Sequence, residues 1–286
     1  MAQKVAVITD SIACLTRELV EQYGIRIAPI SIYFGDKTYK DWVDLTPDEA
    51  YELFLKDPDA FRTSGSNPLE WMEACRAASR EADSIICITL SSKLSVVYNS
   101  VLDVKRRLQA EIPGLTIEVL DSQTVTAAEG FVVLAAARAA EEGRSLAEVV
   151  KAAEEMRGRV AMVAFLDTIR HVYRTGRIPK VAALAGSVLS IRPVLTVREG
   201  VVKFMGVVRS RERGIVRMLK TMRETVGKSP VHVAVMHAFA QEEGEKLKER
   251  VAAAFNCAEL WLTGFSPVMG YATGTGTLGL AFYKDD

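Results

Sequence analysis

The residues able to do chemistry in this chain gather at four short polar tips: Thr9-Asp10-Ser11, Thr63-Ser64, Ser91-Ser92-Lys93-Leu94-Ser95 and Asp121-Ser122. Hydroxyls, carboxylates and a lysine are side chains that hold a small anion or move a proton. The third tip is the most informative. An apolar run over residues 84–90 empties into it, and a helical pattern over residues 96–111 follows. Hydroxyls and unpaired backbone N–H groups then stand together at a helix start, where the helix dipole favours negative charge. The group such a loop holds is a carboxylate or a phosphate. Thr63-Ser64-Gly65-Ser66-Asn67 sets more hydroxyls ahead of a second helix start, and taken alone it reads more readily as a capped loop.

Motifs that usually mark an enzyme do not occur: there is no Walker A loop, nucleophile elbow or His-Glu-x-x-His pattern. Gly274-Thr275-Gly276-Thr277-Leu278-Gly279 has the spacing of a dinucleotide fingerprint, but it lies too near the end of the chain to open the helix that fingerprint requires. It reads instead as a loop whose backbone approaches a ligand or another part of the fold. The histidines (His171, His232, His237) and the cysteines (Cys14, Cys75, Cys87, Cys257) are dispersed, which suits reduced thiols better than a disulfide frame or a zinc site. No metal, cofactor or catalytic residue is expected. The alternative is a phosphotransferase or hydrolase using the same anion pocket, for which Asp10 and Asp121 are the obvious carboxylate pair.

The elements that must position these tips alternate in the first half. Strand-like segments over residues 5–8, 25–34, 84–90 and 116–120 are separated by helical patterns over residues 16–24, 68–82, 96–111 and 124–142, with a further helix starting at residue 47. Thr46-Pro47-Asp48-Glu49 is a capping-box start, and Asn67-Pro68-Leu69-Glu70 repeats its logic. Strands alternating with helices predict a mostly parallel sheet, whose carboxyl ends share one edge where ligands bind. That edge would carry the tips of residues 9–11, 91–95 and 121–122. After residue 157 the pattern changes to an extended segment over residues 160–166, a short basic helical stretch to residue 177, a hairpin turning at Arg198-Glu199-Gly200, and further mixed helices and strands. The expected architecture is α/β, with a Rossmann-like parallel domain over residues 1–157 and an α+β domain over residues 158–286.

Lysine plus arginine equals aspartate plus glutamate at 36 each, so no global field points to nucleic acid or a membrane. No apolar run approaches the ~18 residues needed to span a bilayer. A soluble, cytoplasmic protein is expected, with transient contact at a membrane surface left open. Locally the charge is uneven. Between Asp167 and Arg217 eleven basic residues, among them Arg170, Arg174, Arg177 and Arg209, face three acidic ones. That segment is either a solvated face or a docking surface for an acidic partner.

Taken in order, these blocks resemble the DegV family of bacterial fatty-acid-binding proteins. The resemblance rests on Ile8-Thr9-Asp10-Ser11, Thr63-Ser64, Leu90-Ser91-Ser92-Lys93-Leu94-Ser95 with Tyr98-Asn99-Ser100, and Asp121-Ser122 with Gly130. It continues through Gly176-Arg177-Ile178, Ile191-Arg192-Pro193 and Thr273-Gly274-Thr275-Gly276. It implies a two-domain fold, a buried long-chain fatty acid, and a non-catalytic carrier whose carboxylate anchors are Thr63 and Ser95, with Ser64, Ser92 and Arg209 as further candidates. Asp10, Ser11, Asp121, Ser122 and Gly274 would lie beside the ligand. It also implies that a separate fatty acid kinase docks on Arg170, Arg174 and Arg177 and phosphorylates the presented acid; a lipid-sensing regulatory role is the other non-enzymatic reading. The chain departs from the family where Ala272 stands in place of a common histidine, and Thr275 in place of a proline. The chemistry of a carrier is economical: at ~0.8 kcal/mol per buried CH₂, a sixteen-carbon tail contributes on the order of 10 kcal/mol before the costs of association.

Overall fold

In the computed structural model, residues 4–171, 175–177 and 191–285 are described. Strands β1 (Val5–Asp10), β2 (Arg26–Ala28), β6 (Ser84–Thr89) and β7 (Thr116–Asp121) form a parallel sheet in the order β2-β1-β6-β7. Every residue of β6 is buried, as a central parallel strand covered on both faces requires. Helices α3 (Pro68–Ala78) and α4 (Val97–Glu111) cover one face; α5 (Thr126–Glu141) and α6 (Leu146–Arg159) cover the other. The expected helix starts are present. Thr46 and Glu49 close a capping box on α2 (Pro47–Lys56), which follows the short α1 (Arg17–Gln22); Ser145 and Glu148 close another on α6, at a start not among those expected. Asn67 caps α3 through the N–H of Leu69, while Glu70 is drawn away to Lys40 instead of completing a box.

A second, six-stranded sheet has the order β10-β9-β8-β13-β11-β12. Its strands are β8 (Ala161–Phe165), β9 (Arg192–Arg198), β10 (Val201–Val208), β11 (Val231–His237), β12 (Cys257–Gly264) and β13 (Leu278–Lys284). Helices α7 (Arg211–Val226) and α8 (Gln241–Ala254) pack on its outer face. Side-chain alternation divides the sheet cleanly: Val163, Phe165, Val233, Val235 and Leu280 join the outer core, while Met162, Ala164, Ala234 and Ala281 join the inner one. The inner residues are mostly small because α5 lies against them. That helix is buried on nearly all sides and touches both sheets, so the layers run helices, sheet, α5, sheet, helices.

Several segments differ from the sequence expectation. Residues 25–34 are not one extended run, because Pro29 lacks a donor and breaks them into β2 and β3 (Ser31–Phe34). The polar stretch after β3 is a strand, β4 (Lys37–Lys40), with the lysines typical of a sheet edge. Residues 63 and 64 are not a capped loop either. They end β5 (Phe61–Ser64), which pairs antiparallel with β3 in a separate sheet ordered β4-β3-β5. The described part of the basic stretch before Arg177 consists of turns and bends, not helix. A short helix, α9 (Pro267–Thr273), occupies a segment to which no element was assigned.

Helix α5 reaches its central position only because Gly130 is bare. A Cβ there would stand 2.6 Å from the carbonyl oxygen of Ala13. Gly130→Ala is expected to lower stability by roughly 1–3 kcal/mol through overpacking, read as a lower urea midpoint at an unchanged slope. An unaltered midpoint would show that the turn at Ala13 yields freely.

Candidate functional site

At the carboxyl edge of the parallel sheet the tips of β1, β6 and β7 are neighbours, and much of their polarity is committed to one another. Asp10 accepts from the N–H groups of Ile12 (3.0 Å) and Leu90 (3.1 Å). Asp121 accepts from the Ser92 N–H (3.2 Å), the Ser92 hydroxyl (2.5 Å) and the Gln123 N–H (2.8 Å). Ser11 accepts from the N–H of Ile30 at 3.3 Å, and Ser122 exchanges hydrogen bonds with the backbone of Thr124. Both carboxylates of the candidate phosphotransfer pair are thus occupied in shaping loops. Burial nevertheless raises Asp10 to about 7, against the pull of the two backbone donors.

The serine loop also holds the second sheet. Ser91 Oγ donates to the carbonyl of Gly200 at 2.7 Å, and Lys93 Nζ to that of Glu199 at 2.9 Å. Glu199 (φ 51°) and Gly200 (φ 78°) are the two-residue turn between β9 and β10, both in the left-handed region that a type I′ hairpin demands. The lysine that marked the loop as anion-binding is therefore engaged with a carbonyl at a hairpin tip.

Beside this edge lies a cavity of about 420 Å³, within the roughly 300–1,000 Å³ of small-molecule sites. Ile12, Ile30, Leu90, Leu94, Val125 and Val202 give it aliphatic walls. Helix α9 adds Val268, Met269, Tyr271, Ala272 and Thr273. Its polar lining comes from Arg62, Thr63, Ser64, Ser95, Thr175 and Arg177, with no acidic side chain among the described residues that line it. Thr63 follows the strand alternation: it pairs with buried Ile32 and sits two residues from buried Phe61, so its side chain lies on the inner face of β5. Gly65 brings β5 against the start of α4, its Cβ position being 3.1 Å from Val97 Cγ2 and 3.7 Å from Ser95 Oγ. Ser95 Oγ accepts from the N–H of Val97 at 3.3 Å, which leaves its proton available to an acceptor in the cavity. Ser64 is exposed, within 3.4 Å of the Tyr33 hydroxyl. Arg177 reaches the Leu94 carbonyl through Nε at 3.1 Å, and Arg62 the Phe61 carbonyl at 2.8 Å. Neither guanidinium is neutralised by a carboxylate among the described residues, so positive charge collects at the polar lining.

Thr63, Ser64, Ser95 and Arg177 thus line one cavity, together with Ala272. Ser92, Asp10, Ser11, Asp121 and Ser122 do not line it and instead hold the backbone around it. Gly274 lies past α9 against His171 and Thr168. Arg209 is exposed beyond the end of β10, outside the cavity lining. Arg170 is exposed on a turn, and Arg174 lies outside the described residues. The basic segment is not one continuous patch: Arg192 and Arg211 both pair with Asp167, at 2.8 and 3.3 Å, and Glu212 is held by Arg250. Sequence reasoning overlooked Arg62 and, apart from Ala272 and Thr273, the residues of α9. No local signal marked the first, because strand alternation sets Arg62 on the face opposite Phe61 and Thr63; Pro267 and Gly270 obscured the second.

A family model for DegV, described as uncharacterised proteins, matches residues 4–285. A DegV domain-containing protein of Clostridium perfringens is 30% identical over 283 residues, covering 98% of this chain and 99% of its own. Among solved structures, a DegV family protein from Thermus thermophilus, described by its fatty acid binding, superposes with a TM-score of 0.88 at 27% identity, over 99% of this chain and 100% of that one. DegV of Bacillus subtilis, described as a fatty acid binding protein, gives 0.87 at 28% identity with the same coverage.

The contact between serine loop and hairpin generates a test. Ser91→Ala is expected to cost about 1 kcal/mol in chemical denaturation. Gly200→Ala should cost more, because its Cβ would fall 2.6 Å from Ser91 Oγ at a positive φ. Equal stability of all three proteins would mean that the hairpin tip is not fastened there.

Proposed function

This chain belongs to the DegV family, and on that premise we propose that it binds one long-chain fatty acid, tail in the aliphatic cavity and carboxylate at its hydroxyl end. The observation that carries the reading is the composition of that cavity: aliphatic walls, with hydroxyls and unneutralised guanidinium groups in the same lining. An ionised carboxylate needs hydrogen-bond donors when it leaves water, whereas an acyl tail needs only dry surface. Thr63 and Ser95 supply the primary donors in this reading, with Ser64 beside them. Arg177, and Arg62 in addition, supply the positive charge. The fatty acid binding described for the Thermus thermophilus and Bacillus subtilis relatives supports the same choice of ligand.

The protein in this reading is a carrier and not the catalyst. Asp10 and Asp121, the carboxylates a phosphotransferase would need, are engaged by backbone donors. A separate acyl kinase would receive the acid at the exposed carboxylate end, with Arg170 and Arg177 flanking the approach. Because Arg177 lines the cavity, it would serve the ligand's charge as well as any docking partner.

Two measurements test this. Native mass spectrometry of the purified protein should find a C14–C18 acid at one per chain; lipid-free protein that also takes up no fluorescent fatty acid overturns the reading. Thr63→Ala and Ser95→Ala should each weaken fatty acid binding by about 1–3 kcal/mol, roughly five- to a hundredfold. Unchanged affinity would remove that hydroxyl from the site.

A further inference from the structure

Three carboxylates are fully buried beneath the cavity wall: Asp10, Asp41 and Glu129. Asp10 has donors on both oxygens, but Asp41 Oδ1 and Glu129 Oε2 are buried without a hydrogen-bond partner. A bare, buried carboxylate oxygen is the natural seat of a proton, because its ionised form would be stripped of water with nothing in exchange. Asp41 is also placed to transmit its state. Its Oδ2 accepts from Ser266 Oγ at 2.8 Å, joining positions 225 residues apart.

Ser266 occupies the cap position of α9, which has only seven residues and carries five cavity-lining side chains. So short a helix does not hold its conformation alone. Three contacts fasten its N-terminal end to the first half of the chain: Asp41 to Ser266 Oγ, Tyr51 OH to the Phe265 carbonyl at 3.0 Å, and the Ser266 N–H to Cys14 Sγ at 3.3 Å. Burial raises the Tyr51 and Cys14 groups further from neutrality than Asp41, so Asp41 is the one of the three that titrates near neutral pH.

We propose that Asp41 is a positioning residue for the acyl slot: protonated, it lets α9 close over it as a wall of the cavity, and ionised, the need of its bare oxygen for water outweighs its stronger bond to Ser266 and opens that wall. This rests on the fatty acid reading for what the wall encloses. The groups facing Asp41 are Asp10 from β1, Cys14 from the turn after it and Tyr51 from α2; Glu129 of α5 stands behind Asp10 and Cys14. All lose protons to become negative, and no cation pairs with Asp41 among the described residues. Burial raises Asp41 to about 6, with the Ser11 and Ser266 hydroxyls and the Trp42 N–H opposing. The fastened state, having the raised value, is favoured at low pH and loses that advantage as pH rises through about 6. A recess of about 240 Å³ lined by Ser11, Cys14, Arg17, Glu18, Trp42 and Ser266 reaches the hydroxyl partners of Asp41 and is the route by which protons would arrive.

Hydrogen–deuterium exchange of ligand-free protein, corrected for the intrinsic pH dependence, reads the latch without any lipid. Protection of α9 should fall about fourfold between pH 5.5 and 8 if the released carboxyl returns to its ordinary value. Asp41→Asn, which cannot ionise, should abolish that fall. Ser266→Ala keeps the carboxyl but removes its partner, and should lower protection at pH 5.5. Fatty acid release from loaded wild-type protein should accelerate over the same range more than release from Asp41→Asn. Identical pH profiles of α9 protection in wild type and Asp41→Asn overturn the latch. A pH response of α9 in a protein that takes up no fatty acid at any pH leaves the latch standing and overturns the lipid reading instead.

Discussion

The position of α5 between the two sheets is the constraint on which the other features depend. A helix buried on nearly every side must present small or apolar residues almost all round, and the run from Thr126 to Ala139 does so apart from Glu129 and Arg138. It also needs sheets that approach closely, which the alanines of β8, β11 and β13 allow. Once α5 is so placed, the carboxyl edge of the parallel sheet faces the β9–β10 hairpin, and the serine loop and the Glu199-Gly200 turn are brought into contact. The cavity is the space enclosed beside that contact by β5 and α9. No single element contains it.

This arrangement divides the polar residues into two groups by what they touch. Asp10, Asp121, Ser91, Ser92 and Lys93 spend their hydrogen bonds on backbone groups or on each other, and so fix the shape of the loops. Thr63, Ser95, Arg62 and Arg177 turn toward the cavity. Residues of identical type and near-identical position in sequence, such as Ser92 and Ser95, differ because one lies over the tip of β7 and the other just ahead of α4. Three residues along a loop are enough to separate architecture from binding.

The parallel sheet was legible in the sequence because its signals are local. Apolar runs, capping boxes and the polar tips at strand ends are each set by neighbours within a few residues, as at Thr46 and Glu49. The Arg198-Glu199-Gly200 hairpin was readable for the same reason. What was not legible depends on contacts between distant segments. Lys37-Thr38-Tyr39-Lys40 has no apolar alternation, and it becomes a strand only because β3 offers it a partner. Lys93 reads as an anion ligand until the hairpin more than a hundred residues later takes up its charge. Arg177 reads as surface because nothing nearby in sequence reveals the cavity beside it.

The wall of the cavity is assembled from segments that run from Ile12 to Thr273. During synthesis, then, no partial chain possesses the slot. The parallel sheet can form from the first half, but it exposes an open apolar trough until the residues of α9 arrive and close it. An occupant that binds only the closed fold stabilises it by mass action, by an amount that grows with the ratio of free ligand to its Kd. Empty and filled protein would therefore differ in how long they resist proteolysis, and the supply of ligand would set the abundance of the protein as well as its loading.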